Sequence, residues 1–507
     1  MLKNIGSNWA FTVLQILVFF VLVPFIFEQL GFVRYGAWEV IATQAGWLRL
    51  LALGLPMATV RHVTKSIAEG RPLEAERIIA NSLTLALILT AVSVLIGVGI
   101  YFSADRMIIG SERWSLTPED LRDARQSMVV VILLFASSFA LRLPYAIFDA
   151  HHNFVWRNII QMGGLVVRFG LTLWWLGSHP TMLTLATILL LVLVLECATA
   201  VVVSARLHHP VRIRLARPER ELVGKLMSFG IFAFLINMGT MIAYQLDSYV
   251  IGLFMQGPDV TNYAMGNKVY EQFLALVFAV GTVAMPMGTK LHAQKDWEGL
   301  RNVFLKWSKI CTSLVFLVGG YILILGPEFL QVWLDDYNPI MGQVMQLLMI
   351  SFFVFLPLYG VGLPMLMAVD KAKGPGLGLL AMGLMNLVLS VVLVGPYGVL
   401  GVAMGTVIPN IVFGIVFLHL SCKHMGVPMT EFLQYCLGRT LLGMLLPVAL
   451  LLACKFGLEV HGVVPVIGAG VVYAALFVAL QLFFVYRGDR LVDPWARLQA
   501  RIAGGGE

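Results

Sequence analysis

Residues Pro56 to Lys65 read PMATVRHVTK and residues Pro286 to Lys295 read PMGTKLHAQK, so one chain carries PMxTxxHxxK twice. Five agreements in ten positions decide nothing alone. The setting of the two copies decides, and that setting is set by composition. Of the 507 residues 59% are hydrophobic and only 12% are charged, a balance that excludes an ordinary soluble enzyme and defines a polytopic membrane protein. A bilayer core about 30 Å thick needs roughly 20 apolar residues per helix. Such segments recur from Trp9 to Tyr486. The first follows Lys3 without an A-x-A-like cleavage site and reads as a retained helix rather than a removed signal peptide. Five cysteines, with no C-x-x-C and no large exported loop to staple, read as ordinary membrane or cytoplasmic residues.

Apolar runs broken by Gly, Pro and charge predict fourteen helices, near 8–30, 36–60, 78–103, 127–148, 158–177, 181–205, 226–254, 261–288, 310–325, 342–369, 375–394, 399–421, 440–457 and 465–486. With the N-terminus inside, the inner segments hold 25 of the 35 basic residues and the outer loops six. Basic residues retain a loop on the cytoplasmic side, so the expected topology is N-in and C-in. The same bias explains the net charge of +7 without nucleic acid. On this map both PMxTxxHxxK copies close a helix and enter a basic inner loop. Each of those helices begins outside at a tyrosine, Tyr35 or Tyr263, and Glu69-Gly70-Arg71 faces Glu298-Gly299-Leu300-Arg301 downstream. The expected plan is therefore two parallel six-helix repeats, residues 1–210 and 211–425, with two additional C-terminal helices over 426–486 and a cytoplasmic amphipathic tail over 487–507. Outer tyrosines and inner basic ends are also general habits of membrane helices, which leaves chance resemblance open.

A charge at mid-membrane costs about 2.5–3.5 kcal/mol on insertion scales, so ionisable residues there face a cavity or a partner. The basic set is Arg49, Arg142, Arg168 and Lys268, and the acidic set is Glu39, Glu196, Asp247 and Glu271. At about 100° per residue, Asn158, Gln161, Gly164 and Arg168 share one stripe of the fifth helix. Asn237, Thr240, Tyr244, Asp247 and Ser248 share another on the seventh, and Asn267, Lys268 and Glu271 a third on the eighth. Such stripes suit a wet path. The plainer readings are that Arg142 snorkels, Glu39 is solvated and Lys268 pairs with Glu271 or Asp247. Pro357, Gly360, Gly362 and Pro364 interrupt the tenth helix as hinge candidates, and Gly374-Pro-Gly376 opens the eleventh. In the tail, Trp495, Leu498 and Ile502 share one face and Arg497 and Arg501 another. No HExxH, CxxC, P-loop or G-x-S-x-G is present, so no metal, cofactor or catalytic residue is expected. The adjacent pairs His151-His152 and His208-His209 offer too few ligands for a metal.

In the order Leu30-Gly-Phe-Val-Arg-Tyr-Gly36, Leu53-Gly-Leu-Pro-Met-Ala-Thr-Val-Arg-His62 with Ala68-Glu-Gly-Arg71, Asp247-Ser-Tyr-Val-Ile-Gly252 with Val260-Thr-Asn-Tyr-Ala264, Gly326-Pro-Glu-Phe-Leu330 with Trp333-Leu334, and Asn386 with Pro396-Tyr-Gly-Val-Leu-Gly-Val-Ala403, the chain resembles the polysaccharide (Wzx-like, O-antigen and exopolysaccharide) flippase family of the multidrug/oligosaccharidyl-lipid/polysaccharide exporter superfamily. The resemblance implies a V-shaped pair of six-helix lobes in the bacterial inner membrane. It implies alternating access, which carries an undecaprenyl-diphosphate-linked oligosaccharide to the outer leaflet. A glycan polymerase or export machinery is the implied protein partner. Arg49, Arg168, Lys268 and Arg142 are then the cations for the diphosphate. Asp247, Glu271 and Glu196 are the acids for ion coupling or the cavity, and Asn158, Gln161, Asn237, Tyr244 and Asn267 are the polar lining. The family usually has twelve helices. Fourteen suit the lipid II flippases, but residues 8–27 hold no basic residue, unlike the Arg-rich start of theirs, which argues against a peptidoglycan precursor. A cation-coupled drug exporter of the same superfamily is the alternative, although the cations at 49, 142 and 168 oppose it. A glycan polymerase or ligase would need a catalytic outer loop, and the acids of 104–126 come with no reaction motif and read as a solvated connector.

Overall fold

The computed structural model describes residues 2–52, 54–105, 110–207, 214–369, 371 and 373–495. His208, His209, Arg106 and the tail residues Arg497, Leu498, Arg501 and Ile502 lie outside them. All regular structure among the described residues is helical. The chain forms two compact units. One comprises residues 1–241 and 248–261, the other 242–247 and 262–507.

The first unit contains α1 (Leu2–Gly46), a 3-10 turn (Trp47–Ala52), α2 (Leu55–Ala68), α3 (Pro72–Ala104), α4 (Pro118–Leu141), α5 (Leu143–Ala150), α6 (Phe154–Leu171) and α7 (Met182–Leu207). It also takes most of α8 (Arg220–Gln245) and α9 (Asp247–Phe254). Inside it α4 packs on α3 and α7, α1 on α4 and α6, and α2 on α3 and α5. The second unit contains most of α10 (Gly257–Ala293), then α11 (Trp297–Trp333), α12 (Pro339–Ala368), α13 (Lys373–Met425), α14 (Met429–Leu433), α15 (Arg439–Phe456) and α16 (Val463–Leu480). Here α12 lies against α11 and α13, and α15 and α16 both pack on α11.

Among the described residues, ten helical stretches are long and apolar enough to cross a bilayer. Two are long enough for two crossings, at 63 residues over Gly6–Ala68 and 53 over Lys373–Met425, when about 20 helical residues span the core. Both contain a break. Gly31 (φ 71°) and Gly398 (φ 58°) leave the helical region with left-handed φ, which only glycine adopts without strain.

The turns that close α2 and α10 do not follow the expected sequence pairing. Gly70 (φ 69°) closes α2, with its N–H on Ile67 O and that of Arg71 on Ser66 O. Lys295 (φ 56°) closes α10 the same way, with N–H bonds from Lys295 to His292 O and from Asp296 to Leu291 O. Gly70 thus corresponds to Lys295, whereas Gly299 lies in the first turn of α11 behind its N-cap Asp296. The sequence match between Glu69-Gly70-Arg71 and Glu298-Gly299-Leu300-Arg301 therefore pairs a helix end with a helix start. Pro56 likewise opens α2, while Pro286 lies inside α10.

Two further expectations change. The described part of 104–126 is anchored at several points, with Glu112, Arg113, Glu119 and Arg122 exposed. Trp114 is buried with its indole N–H on Gly252 O, Arg125 grips Asp105, and the Asp123 carboxylate accepts the N–H groups of Met182 and Leu183 at the start of α7. Asp105, Asp120 and Asp123 are taken by arginines and by the start of α7. Glu39 is 8% exposed rather than solvated. In α12 the glycines serve close contact. A Cβ on Gly281 would collide with Gly360 O and Pro364, and one on Gly360 with Val277. Without a hydrophobic drive between helices in lipid, such small-residue seams supply close packing. Gly281→Val should therefore lower stability by about 1–3 kcal/mol through overpacking. Gly99→Ala, whose Cβ meets nothing within 4 Å, should leave the melting temperature in detergent unchanged.

Candidate functional site

The first unit gathers its membrane-depth charges around the break between α4 and α5. Arg142 stands exposed at that break, and one turn into α5 the Tyr145 hydroxyl donates to Glu196 Oε2 at 3.1 Å. Glu196 reaches this position because α6 presents Gly164 opposite it, where any Cβ would strike the carboxylate. Arg168, one turn beyond Gly164, is the electrostatic neighbour of Glu196 together with Arg142. The Arg168 Nε is buried with no hydrogen-bond partner. Asn158, on the same stripe, is fully buried and spent on structure, its amide donating to Ser7 Oγ at 3.0 Å and to Asn8. Gln161 is half-buried and Asn237, on α8, is exposed. Arg49 sits apart on the 3-10 turn, exposed, with its guanidinium 4.9 Å over the Phe135 ring.

The second unit holds a different site. The chain leaves helix between α8 and α9, and Asp247, 2% exposed, falls at that interruption. Its Oδ2 accepts from the Thr406 hydroxyl at 2.6 Å and from the Tyr263 hydroxyl. Its Oδ1 has no partner. Asn386 donates to Thr406 Oγ1 at 2.9 Å and to Ala243 O at 2.8 Å, and Ser390 Oγ lies 3.1 Å from Asn386 Oδ1 and 3.4 Å from Val402 O. Tyr244 reaches Asn410, which also bonds Tyr270 and Ser351. One carboxylate ringed by neutral oxygens can take up a proton or a monovalent cation, since hard cations prefer oxygen ligands. On α10, Asn267 donates to Glu271 at 3.1 Å and Lys268 lies 3.9 Å from Glu271.

The structure thus brings together Arg142, Arg168 and Glu196 in one unit and Asp247 with Tyr244 in the other. Arg49 stands outside the first group, and Lys268 pairs with Glu271 while Asp247 takes hydroxyls. Sequence reading missed Tyr145, Thr406, Ser390 and Asn410. A signal was present. Asn386 with Ser390, and Thr406 with Asn410, are i,i+4 polar pairs on apolar stretches and so share a helix face. Lys309, just before the predicted helix 310–325, lies inside α11, buried against Asp489.

This fold defines a multi-pass membrane protein. The chain is similar to a structure of the lipid II flippase MurJ in an inward closed conformation, with a TM-score of 0.70 and 14% identity over 95% of this chain and 98% of that one. It is also similar to an inward-facing multidrug resistance MATE family transporter of the MOP superfamily, with a TM-score of 0.62 and 18% identity over 82% and 94%. The uncharacterized membrane protein EpsK of Bacillus subtilis (strain 168) is 22% identical over 448 residues, 86% of each chain. The family model for polysaccharide biosynthesis proteins matches residues 1–292, and the chain belongs to that family.

Proposed function

We propose that this protein flips an undecaprenyl-diphosphate-linked oligosaccharide from the inner to the outer leaflet of a bacterial cytoplasmic membrane by alternating access, for cell-surface or exopolysaccharide assembly. In this reading the chain crosses fourteen times, N-in and C-in, as two parallel six-helix repeats followed by two helices. The observation that carries the proposal is the membership of residues 1–292 in a polysaccharide biosynthesis family, joined to four cations on otherwise apolar helices. The fold of MurJ, whose name gives lipid II as its cargo, supports the same direction. A diphosphate leaving water needs cations at membrane depth, and Arg49, Arg142, Arg168 and Lys268 are the proposed ones. Asp247 is the proposed coupling carboxylate, for protons or sodium.

Purified protein in proteoliposomes with a fluorescent undecaprenyl-diphosphate oligosaccharide tests this. Wild type should expose the lipid on the far face, and Arg49→Ala, Arg168→Ala and Lys268→Ala should each slow this about tenfold to a hundredfold, the loss of a charge-assisted bond. No flipping of several glycans under pH and sodium gradients would favour the small-molecule exporter instead.

A further inference from the structure

Residues 248–261 lie in the second half of the chain but pack with the first unit, and α10 passes into the second unit between Thr261 and Asn262. Four contacts hold them there. Two come from the short turn Glu112–Trp114 before α4. Trp114, 1% exposed, donates its indole N–H to Gly252 O at 3.3 Å, and the Arg113 guanidinium donates to Leu253 O at 3.0 Å. Both acceptors are last-turn carbonyls of α9, which a helix leaves without donors of its own. The other two contacts come from α1 just past its break at Gly31. Phe32 O accepts from the Thr261 hydroxyl at 2.6 Å, and Gly36 approaches so closely that a Cβ on it would collide with Gly257 O. The Trp114 ring fits over Gly257, where a Cβ would come within 2.8 Å of it. Thr261 is fully buried by this packing.

A helix shared by two units has two responses when they move: it bends at the crossing, or its end is released. α10 runs as one helix from Gly257 to Ala293, and its interior proline, Pro286, lies far beyond the crossing. We propose that the grip on 252–261 is a releasable latch, with Trp114 as its pin. The turn 112–114 and the α1 segment 32–36 hold the start of α10 to the first unit, and they let go when the protein opens on that side, which the proposed topology makes the outer one. The bonds suit release, because water takes each of them over at small net cost. The glycine pair lets the backbones close without a side chain between them. The inference rests on the alternating access of the flippase reading and not on the identity of its cargo.

The test is thiol labelling of full-length Thr261→Cys protein in nanodiscs with a membrane-impermeant maleimide, the labelled site being read by peptide mass spectrometry. With the latch intact the reporter should label slowly. Adding Trp114→Phe, which keeps a ring and removes the indole N–H, should raise the rate about threefold to tenfold, the worth of one neutral hydrogen bond. Trp114→Ala should raise it about a hundredfold, and Gly36→Ala, a wedge from the α1 side, should act in the same direction. The native Cys311 and Cys436, both 0% exposed, should stay unlabelled throughout, which separates opening from unfolding. A reporter that labels at once with the latch intact, a rate unmoved by Trp114→Phe, Trp114→Ala and Gly36→Ala, or a rise seen only together with labelling of Cys436 would overturn the latch. The expected labelling pattern in a protein that flips no lipid-linked glycan would keep the latch and remove the flippase reading, whereas flipping with the reporter rate unmoved would do the reverse.

Discussion

Lys309→Met should destabilise the second unit by about 3–5 kcal/mol, because it strands a carboxylate that its fold has buried. The Lys309 and Asp489 side chains are 2% and 4% exposed, with Nζ 2.5 Å from Oδ2. Tyr435 donates to the other carboxylate oxygen at 2.7 Å, and its ring lies 4.5 Å from the ammonium. The N–H groups of Leu491 and Val492 complete the shell. This cluster ties the turn after α16, and the π-helical turn Gln434–Gly438 before α15, to the N-terminal half of α11. Its loss should appear first as faster hydrogen exchange over 429–495, followed by a lower melting temperature. Arg301→Ala, which removes a partner of the more exposed Glu431, should matter far less. Burial alone would raise the Asp489 carboxyl, but the bonds from Lys309, Tyr435 and Leu491 outweigh it and hold it below its ordinary value. A depressed folded value means that the stabilisation is complete above the ordinary carboxyl value of about 3.9 and is lost as pH falls through the lower folded one. Wild type should therefore keep the clamp at pH 5, where Asp489→Asn already lacks it. An Asp489→Asn protein as stable as wild type at pH 7 would refute this account.

Asp247→Asn should abolish gradient-driven transport, by at least about a hundredfold if one charge carries the coupling, while the protein still folds. Asparagine keeps an oxygen for the Thr406 and Tyr263 hydroxyls and removes only the charge, placing an amide where Oδ1 had no partner. Thr406→Val should move transport in the same direction with a smaller loss, since it deletes one ligand oxygen and frees the Asn386 amide. The readout is glycan-lipid accessibility in proteoliposomes with and without imposed pH or sodium gradients. Transport by Asp247→Asn that still follows either gradient would remove Asp247 from the coupling step.

Much of this molecule was legible in the chain. Runs of about 20 apolar residues mark helices whatever their neighbours, since in lipid each helix satisfies its own backbone. Rare charges on those runs stand out for the same reason, which is how Arg168, Glu196 and Asp247 were found. Breaks were harder to read. Departures from helical geometry inside long helices occur at Gly31 and Gly398, neither of which stood out as a hinge. Whether a glycine bends a helix or admits a neighbour depends on what packs against it, as the contact of Gly281 with Gly360 illustrates. The twice-written PMxTxxHxxK falls at different places in its two helices, since the left-handed residue that closes α2 is Gly70 and the one that closes α10 is Lys295.

The sequence by itself determined that this is a helical membrane protein, and it determined which residues carry charge at depth, since both follow from local apolar length and helical period. Only the tertiary structure decided which of those groups are already satisfied. Lys309 meets Asp489 across 180 residues, Thr406 meets Asp247 across 159, and Asn158 is spent on residues 7 and 8 while Gln44 and Arg168 keep unpaired atoms. A periodic pattern specifies the face on which a polar group stands; the group that opposes it is set by packing between distant segments.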